Sequence, residues 1–329
     1  MIKRKYIVLI LIFLGLNCGN FVYAQEIPIY YQSQYLNNQY LINPAVAGSK
    51  DYTIINLSVR QNTAKIAGAP RTQMLSAQAR LRNFLNLGSK SIKKGSQFSN
   101  VGLGGYLFND ASGPLKKIGF QFTYAYHLPL SRKSIEHLSF GASFNGFTYS
   151  INYGELNVLR DPLINEGTQR AFVPDANFGV YYYGKSLFGG ISVAQIFETP
   201  IKWSDDSFEE VPIPRRYFLL AGTKFLIYDD IIVEPSVMFQ ATDETISTIY
   251  KQFDINLKVY YNSILVGLSY RMNTGFTIWG QYQFRNFFFG LSYEYPTSEI
   301  VSYNYGTIEV VLGINLGQGK NRFGDSRYW

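Results

Sequence analysis

The sequence contains two histidines and a single cysteine. Cys18 lies in an apolar N-terminal segment, so a mature chain without that segment forms no disulfide and has no thiol chemistry. His127 and His137 have no evident partner for nucleophilic or acid–base catalysis. No phosphate-binding, dinucleotide-binding or zinc-binding spacing occurs. The residues therefore predict a protein that is not an enzyme and has no cofactor and no metal site.

Charged residues are also scarce, at 16% of the chain. The formal net charge is +7, and removal of Lys3, Arg4 and Lys5 with an N-terminal leader lowers it by three, to +4. Such a modest charge without a basic run gives no indication of a nucleic-acid partner.

Long apolar runs are missing except at the N-terminus. Tyr6–Leu16 is apolar but spans only 11 residues, and a membrane-spanning helix needs about 20. Basic residues precede this run, and Val22-Tyr23-Ala24 follows it. This arrangement predicts a signal peptide at residues 1–24, cleaved before Gln25. Since only helices or closed barrels satisfy the backbone within lipid, any membrane crossing has to use strands.

Aromatic residues are abundant, with 27 Tyr and 25 Phe. Apolar and polar side chains alternate through Asn262–Tyr295 in three segments joined by short turns. The first segment alternates Ile264, Val266, Leu268 and Tyr270 with Gly267, Ser269 and Arg271. A period of two predicts strands, and the tight connections predict antiparallel hairpins. An apolar face in lipid and a polar face around a lumen are typical of a membrane barrel.

The same alternation recurs along the chain. The strand candidates are Tyr52–Arg60, Thr72–Leu81, Val101–Phe108, Ile118–Leu128, Leu138–Ile151, Ala176–Tyr183, Leu187–Ala194, Tyr217–Phe225, Ile231–Gln240, Phe253–Tyr260, Ile264–Arg271, Phe276–Phe284, Phe287–Tyr295 and Thr307–Leu316. We therefore predict an all-β fold, a transmembrane antiparallel β-barrel of about 14 strands at residues 51–316 of an outer-membrane protein.

The connections predict the orientation of this barrel. Those after even-numbered strands are mostly short, whereas Asn152–Asp175 and Gln195–Arg216 follow odd-numbered strands and are long. Outer-membrane barrels keep short turns in the periplasm and long loops outside. We therefore expect periplasmic termini. Arg82–Asn100 is an exception, because it is long and basic on the predicted periplasmic side.

Charges of both signs fall at positions predicted to face the lumen. They are Arg60, Arg80, Lys224, Lys258 and Arg271 against Glu234, Asp254, Glu294 and Glu309. A ring of one sign would favour an ion-selective pore. Mixed signs favour internal ion pairs, or a lumen occupied by a segment of this or another protein. A barrel of about fourteen strands is compatible with a plug but does not require one.

Two N-terminal motifs carry a family resemblance. Gln32-Ser33-Gln34-Tyr35 is followed by Asn43-Pro44-Ala45-Val46-Ala47-Gly48, and then by Arg60-Gln61 and Pro70-Arg71-Thr72. In this pattern the chain resembles the PorP/SprF family, outer-membrane proteins of the type IX secretion system in Bacteroidetes. It departs from the family pattern at Ile27-Pro28, at Val46 in place of an aromatic residue, and at Asn62.

The resemblance implies a non-enzymatic role in protein secretion. The expected partners are a secreted surface protein bound through its C-terminal domain, periplasmic ring or lipoprotein components, and outer-membrane lipid. The surface protein would be an adhesin with a type B C-terminal domain, including adhesins of gliding motility. The alternative within the family is a core component bound to the periplasmic ring. The alternative from another class is a general diffusion porin.

The N-terminal segment, residues 25–50, contains the first candidate partner-binding residues. They are Gln32, Ser33, Gln34, Tyr35, Asn43 and Pro44. Amides and tyrosine hydroxyls make directional hydrogen bonds without burying charge. Such a segment is suited to packing inside the lumen or to binding a periplasmic partner, and the third alternative is a disordered leader.

Two connections and the tail supply the remaining candidates. Lys90, Lys93 and Lys94 could dock an acidic periplasmic partner or simply form a solvated turn. Trp203, Asp205 and Asp206 lie in a long external connection. It could clasp an exported protein or remain a solvated acidic loop, and its carboxylates do not match a calcium-loop spacing. The tail, residues 317–329, could bear a barrel-assembly signal or bind in the periplasm.

Overall fold

The computed structural model describes Tyr35 and residues 38–64, 68–81, 100–130, 136–153, 167–203, 213–228, 231–242, 253–272, 274–297 and 304–317. All of them belong to one compact unit, Gln32–Trp329. Two short 3₁₀ helices, Gln39–Leu41 and Pro44–Val46, precede the strands. Within the described ranges no helix is long and apolar enough to cross a membrane.

Fifteen β segments follow. They are β1 Thr53–Ala64, β2 Arg71–Arg80, β3 Val101–Ser112, β4 Leu115–Pro129, β5 His137–Asn152, β6 Thr168–Tyr183, β7 Leu187–Ala194, β8 Arg216–Thr223, β9 Phe225–Tyr228, β10 Ile231–Thr242, β11 Phe253–Tyr261, β12 Ile264–Arg271, β13 Gly275–Phe284, β14 Phe287–Pro296 and β15 Asn304–Leu316.

These segments form a closed antiparallel barrel. Successive strands pair with each other, and β15 pairs with β1 to complete the circle. β8 and β9 are separated only at Lys224, and both pair with β10 in the same register as far as Ile232, beyond which the register shifts at Ile231. Counting β8 and β9 as one strand, the described residues form a barrel of 14 strands. The predicted fold and strand number are confirmed.

One proline explains the interruption at Lys224. Pro235 lies inside β10 and pairs with Leu257 on β11. On its other side, β10 pairs with β9 at Ile231–Val233 and with β8 from Ser236 onward. Glu234 and Pro235 therefore lie opposite the break between β8 and β9. Because proline has no backbone N–H, the ladder is weakened where β8 gives way to β9.

The predicted external loop Asn152–Asp175 is wrong in its second half. Residues 168–175 belong to β6 and pair with β5 from Asn152 back to Asn145. The alternation pattern missed this part of the strand because it contains a charged residue, Arg170, and a proline, Pro174, and both are unfavourable signals for a strand. Ala171 and Val173 are buried on its inner side, so this part of the wall presents apolar side chains to the interior. The long connection shrinks to residues 153–167.

Side chains alternate between a lipid-facing exterior and a packed interior. On β1, Leu57 is 49% exposed while its neighbours Asn56 and Ser58 are buried. The same holds elsewhere for exposed residues including Leu107, Ile118, Phe122, Phe172, Ile191, Leu268, Ile278 and Leu312. A continuous apolar exterior around buried polar groups is the arrangement that a bilayer favours and water does not.

The predicted lumenal charges form ion pairs. Lys258 contacts Glu234 at 2.5 Å, Arg271 contacts Asp254 at 3.1 Å, and Arg60 contacts Glu294 at 3.3 Å. This outcome confirms the expectation of internal pairs from mixed signs. Buried charges remain ionised when an opposite charge and hydrogen bonds replace water.

The barrel has two distinguishable ends. The terminal mouth is the end at which Thr53 begins β1 and Leu316 ends β15, and the far mouth is the opposite end. Short turns at residues 184–186, 262–263 and 285–286 lie at the terminal mouth, together with the longer connection 81–100. The connections 153–167 and 195–215 lie at the far mouth. That the terminal mouth faces the periplasm stays a prediction.

We predict that Lys258→Met destabilises the barrel. The substitution leaves the buried carboxylate of Glu234 with the more distant ammonium of Lys224, at 3.9 Å. We expect the free energy of unfolding to fall by about 3 kcal/mol, because removing one partner of a buried pair leaves the other charge buried without its nearest counter-charge. Urea unfolding of the barrel in lipid vesicles measures the change. Lys116→Met, at an exposed position, is the control, and equal losses in both variants would contradict the prediction.

Candidate functional site

The lumen contains a segment of the chain itself. We define the plug as Tyr35 with residues Asn38–Gly48, which precede β1. Nearly all of these residues are buried, and Ala45 is 0% exposed. The plug's side chains and backbone bond to strands from β2 round to β11. The structure therefore places this segment inside the barrel.

The local fold of the plug follows from its sequence. The Asn43 side-chain oxygen accepts a hydrogen bond from the Ala45 N–H at 2.9 Å, and Pro44 occupies the first helical position. Asparagine as N-cap followed by proline is a favoured start for a helical turn. At Gly48 the chain takes a left-handed conformation, φ +72°, and an added Cβ would lie 2.7 Å from the Gly102 Cα. Glycine is therefore required on both grounds.

A row of small residues forms the floor beneath the plug. One residue from each of five successive strands pairs directly with the next across the sheet. The row is Gly102 on β3, Ala125 on β4, Gly141 on β5, Gly179 on β6 and Ser192 on β7. With no large side chain in the row, the backbone of the plug can approach the wall closely.

Two positions show how close this approach is. A Cβ added at Gly141 would lie 2.3 Å from the Ala45 backbone nitrogen. A Cβ added at Gly179 would lie 2.1 Å from the Asn43 side-chain oxygen. Both distances are far below van der Waals contact, so at these two positions the wall has no room for any side chain.

Carbonyl groups of the plug accept hydrogen bonds from wall side chains. Ser192 donates to the carbonyl of Ile42 at 2.6 Å, and Ser139 donates to that of Ala45 at 2.7 Å. The Arg80 Nε donates to the carbonyl of Gly48 at 2.7 Å. These side chains satisfy backbone acceptors that the short 3₁₀ turns leave without partners.

Asn43 also anchors the plug, but here the plug supplies the donor and the wall supplies the acceptors. Its side-chain nitrogen donates to the carbonyls of Val180 on β6 and Ile191 on β7, at 3.1 and 3.2 Å. The same amide therefore bridges two strands while its oxygen caps the Pro44–Val46 turn. All three hydrogen bonds need the donor and acceptor geometry of an amide.

Arg80, Tyr183 and His127 form a continuous network at the end of the plug. Arg80 donates to the Tyr183 hydroxyl at 2.7 Å, so the single hydroxyl hydrogen is left to bond the His127 Nδ1, at 3.0 Å. His127 Nδ1 is thus the acceptor, and its Nε2–H donates to the Ala47 carbonyl at 2.9 Å. His137 stacks on the Tyr183 ring at 5.1 Å. Both histidines of the chain contact this anchoring network.

The middle of the plug contacts β2, β3 and β4. Asn38 donates to the Ser76 hydroxyl at 3.1 Å and accepts from Gln78 at 3.0 Å. The Tyr40 hydroxyl pairs with that of Thr123 at 3.0 Å. Burial raises the pKa of Tyr40 to about 12, so its hydroxyl stays protonated and able to donate at physiological pH.

Tyr35 reaches the ion pairs near the far mouth. Its hydroxyl donates to the Asp254 carboxylate at 2.6 Å, and the Arg271 guanidinium lies 5.8 Å from its ring. Burial, and next the negative charge of Asp254, raise the pKa of Tyr35 well above its usual value. The neutral hydroxyl therefore adds a hydrogen bond to a carboxylate that also pairs with arginine. From Gly48 to Tyr35, the plug extends between the two mouths.

The sequence-predicted candidates fall into three groups. Tyr35, Asn43 and Pro44 lie in the plug and contact the barrel wall. Trp203 is half-buried in the connection that follows β7. The remaining candidates lie outside the described residues: Gln32, Ser33, Gln34, Lys90, Lys93, Lys94, Asp205 and Asp206. The described residues include no group of three or more His, Cys, Asp or Glu that could hold a metal ion.

Sequence reasoning missed the residues that receive the plug. Gly102 and Gly104 resemble ordinary strand glycines in the sequence, yet they accommodate the Ala47 carbonyl and the Tyr40 ring. Nothing in the sequence marked Gly141, Ser139 or Ser192 as residues that contact the plug. The available signal was the recurrence of small residues on the lumenal face of neighbouring strands, which becomes visible only when the strand register is known.

We predict that Gly141→Ala displaces the plug. The added methyl group meets backbone at 2.3 Å, and overpacking of that kind costs about 1–3 kcal/mol. A thiol placed by Val46→Cys, at a position 6% exposed, should then react with a soluble maleimide about tenfold faster.

Gly267→Ala is the matched control for this experiment. Gly267 is also a buried strand glycine, but its added Cβ would meet neighbours at 3.5 Å or more, an ordinary contact. Labelling in this variant should equal that of the parent. Equal acceleration in both variants, or none in Gly141→Ala, would show that the plug does not rest on the small-residue row.

We also predict that Asn43→Asp loosens the plug more than Asn43→Ala does. Alanine loses three hydrogen bonds. Aspartate keeps the cap but directs a carboxylate at the carbonyl oxygens of Val180 and Ile191, which offer no donor. The same maleimide assay should rank the rates as parent, then alanine, then aspartate. An aspartate variant that is labelled as slowly as the parent would refute the assigned amide orientation.

Solved structures similar to this one include a channel, porins and the translocator domain of an autotransporter. CymD, a monoaromatic hydrocarbon channel, is 13% identical over 87% of this chain and 93% of its own, with a TM-score of 0.49. CdiB from Acinetobacter baumannii is 9% identical over 80% of this chain, which spans 60% of CdiB, with a TM-score of 0.45. The translocator domain of the autotransporter NalP from Neisseria meningitidis is 10% identical, covering 87% and 97%, with a TM-score of 0.40.

The family comparison covers most of the sequence. No curated protein matches the chain. The family model described as type IX secretion system membrane protein PorP/SprF matches residues 24–314, which includes the plug and almost the entire barrel. A closed β-barrel with an apolar exterior in a secretion membrane family is a protein of the outer membrane. The chain belongs to the PorP/SprF family of type IX secretion system membrane proteins.

Proposed function

We propose that this barrel attaches a cell-surface protein to the outer membrane or helps to export it, without catalysing a reaction. The bound protein would be an adhesin recognised through its C-terminal domain, including adhesins of gliding motility. Family membership supports a place beside the secretion machinery. The plug supports a role in attachment, because the lumen is occupied by the chain's own residues.

The plug is the observation that carries this proposal. Its carbonyl groups, its Asn43 amide and its tyrosines bond to the wall at many points. A general diffusion porin instead keeps an aqueous lumen for solutes. A barrel filled in this way offers partners its two mouths and its connections, so we favour a binding function over a porin.

The two mouths suit different partners. At the far mouth, the connections 153–167 and 195–215 are proposed to contact an exported protein, and Trp203, Asp205 and Asp206 belong to the second of them. At the terminal mouth, the basic residues Lys90, Lys93 and Lys94 would meet an acidic component of the periplasmic machinery. Gln32, Ser33 and Gln34 are proposed as a further contact for the exported protein, because they directly precede Tyr35, which lies near the far mouth.

Asn43 and Pro44 have a different proposed role. Both are buried against the barrel wall, so a partner could reach them only after the plug leaves the lumen. Their hydrogen bonds and packing support a role in holding the plug, and partner contacts then fall to the exposed connections.

We predict that the tagged barrel co-purifies from native membranes, in mild detergent, with one large secreted protein. Mass spectrometry identifies the protein, and removal of its C-terminal domain should abolish its recovery. Replacing Lys90, Lys93 and Lys94 together by glutamine should leave this recovery unchanged, because the cargo is proposed to bind the far mouth.

Two other outcomes would contradict the attachment role. Stoichiometric periplasmic ring proteins in place of a secreted protein, lost in the glutamine variant, would assign the barrel to the core machinery. Recovery of the barrel alone would contradict both roles. Glutamine in place of Lys116 and Lys185, two exposed lysines of the barrel, controls for a general loss of positive charge.

A further inference from the structure

A cavity of about 150 Å³ remains in the lumen beside the plug. The plug residues Asn38, Gln39 and Val46 line one side of it. Ser49 and Lys50, which lead from the plug into β1, also line it and place it toward the terminal mouth. The rest of the wall comes mainly from β10–β15 and β1, and Gln78, Tyr181, Tyr183 and Phe188 complete it on β2, β6 and β7.

One wall of this cavity is apolar and aromatic. Ile54, Leu265, Trp279, Phe288 and Val311 form a buried cluster there, at lumenal positions of the barrel. An apolar cavity of this size accepts a single benzene-sized group. This wall therefore suits one aromatic ring or one branched aliphatic side chain.

The charged groups that line the cavity are unbalanced. Among the described residues, Lys50, Lys224 and Lys258 line it with a single acid, Glu234. Glu234 contacts both Lys258 and Lys224, at 2.5 and 3.9 Å. Asp51 neighbours Lys50 in sequence but is exposed and does not belong to the lining. Three cations around one anion in a partly enclosed space favour an additional negative charge.

Two buried polar atoms of the lining also have no hydrogen-bond partner among the described residues. They are the indole nitrogen of Trp279, a residue 1% exposed, and the side-chain oxygen of Asn56, which is 8% exposed. A buried donor and a buried acceptor left without partners are costly, and both belong to residues that line this cavity. An apolar pocket with a few polar groups is the usual construction of a small-ligand site.

We propose that this cavity binds a carboxylate attached to one aromatic or branched apolar group. The apolar group packs on Trp279, Leu265 and Phe288, while the carboxylate lies toward Lys224 and Lys50 and accepts charge-assisted hydrogen bonds. Both a small aromatic acid and the last residue of a polypeptide have this chemistry. The inference stands on the cavity and not on the attachment role proposed above.

Binding can be measured through Trp279 itself. The chain has three tryptophans, so Trp203→Phe with Trp329→Phe leaves Trp279 as the only reporter in the intact barrel. N-acetyl-phenylalanine should change its fluorescence with a saturable dependence on concentration. N-acetyl-phenylalaninamide, which lacks the carboxylate, should bind at least about tenfold more weakly.

Two lysine substitutions make the test specific to the site. Lys224→Met should weaken binding of the acid about tenfold and leave binding of the amide unchanged. Lys117→Met is the matched control, because the Lys117 ammonium lies over Phe147 and Tyr149 on another part of the wall and does not line the cavity. Its affinity for the acid should equal that of the parent.

Peptides distinguish the two sources of the ligand. Binding of a peptide that ends in phenylalanine, lost when the peptide is amidated, would identify a chain terminus, whereas binding of the free acid alone would identify a small molecule. Equal affinity for acid and amide, no response of Trp279 to either form, or equal loss in the Lys224 and Lys117 variants would each overturn the proposal.

Discussion

The structure depends on the close packing of a short backbone segment against a row of small residues. Gly102, Ala125, Gly141 and Gly179 come from four strands and lie side by side across the wall. Because they have almost no side chains, the Pro44–Val46 turn rests directly on the sheet, and Ser139, Ser192 and Arg80 can reach the carbonyls of the plug. Close packing and hydrogen bonding thus act on the same segment of the plug.

The plug divides the interior into two sides with different chemistry. Against β2–β7 the lumen is tightly packed and bonded to the plug. Against β10–β15 it contains ion pairs, an apolar cluster and a cavity. The lumen of this barrel therefore holds a segment of its own chain, and the proposed attachment role agrees with that occupancy better than solute flow does.

The barrel could be predicted from the sequence because alternation reports which side chains face lipid. The lumenal ion pairs followed from the same alternation, since Glu234 and Lys258 fall on the inward face. The small-residue row could not be predicted, because Gly102 and Gly141 become neighbours only through Ala125 and the exact pairing of β4. The start of β6 was missed because the charge of Arg170 and the proline at Pro174 are both unfavourable signals for a strand. Tyr35 and Asn43 were recognised as candidates, but only the fold shows that they bond to the wall.

Single-channel conductance in planar bilayers tests the central claim most directly, because a seated plug and an open lumen differ in ion flow. The account predicts no stepwise conductance from the wild-type barrel. It predicts large, regular steps from a variant that lacks residues 32–48 and still begins β1 at Thr53. Steps of the same size from both proteins would contradict the account, because they would show that the segment does not close the lumen.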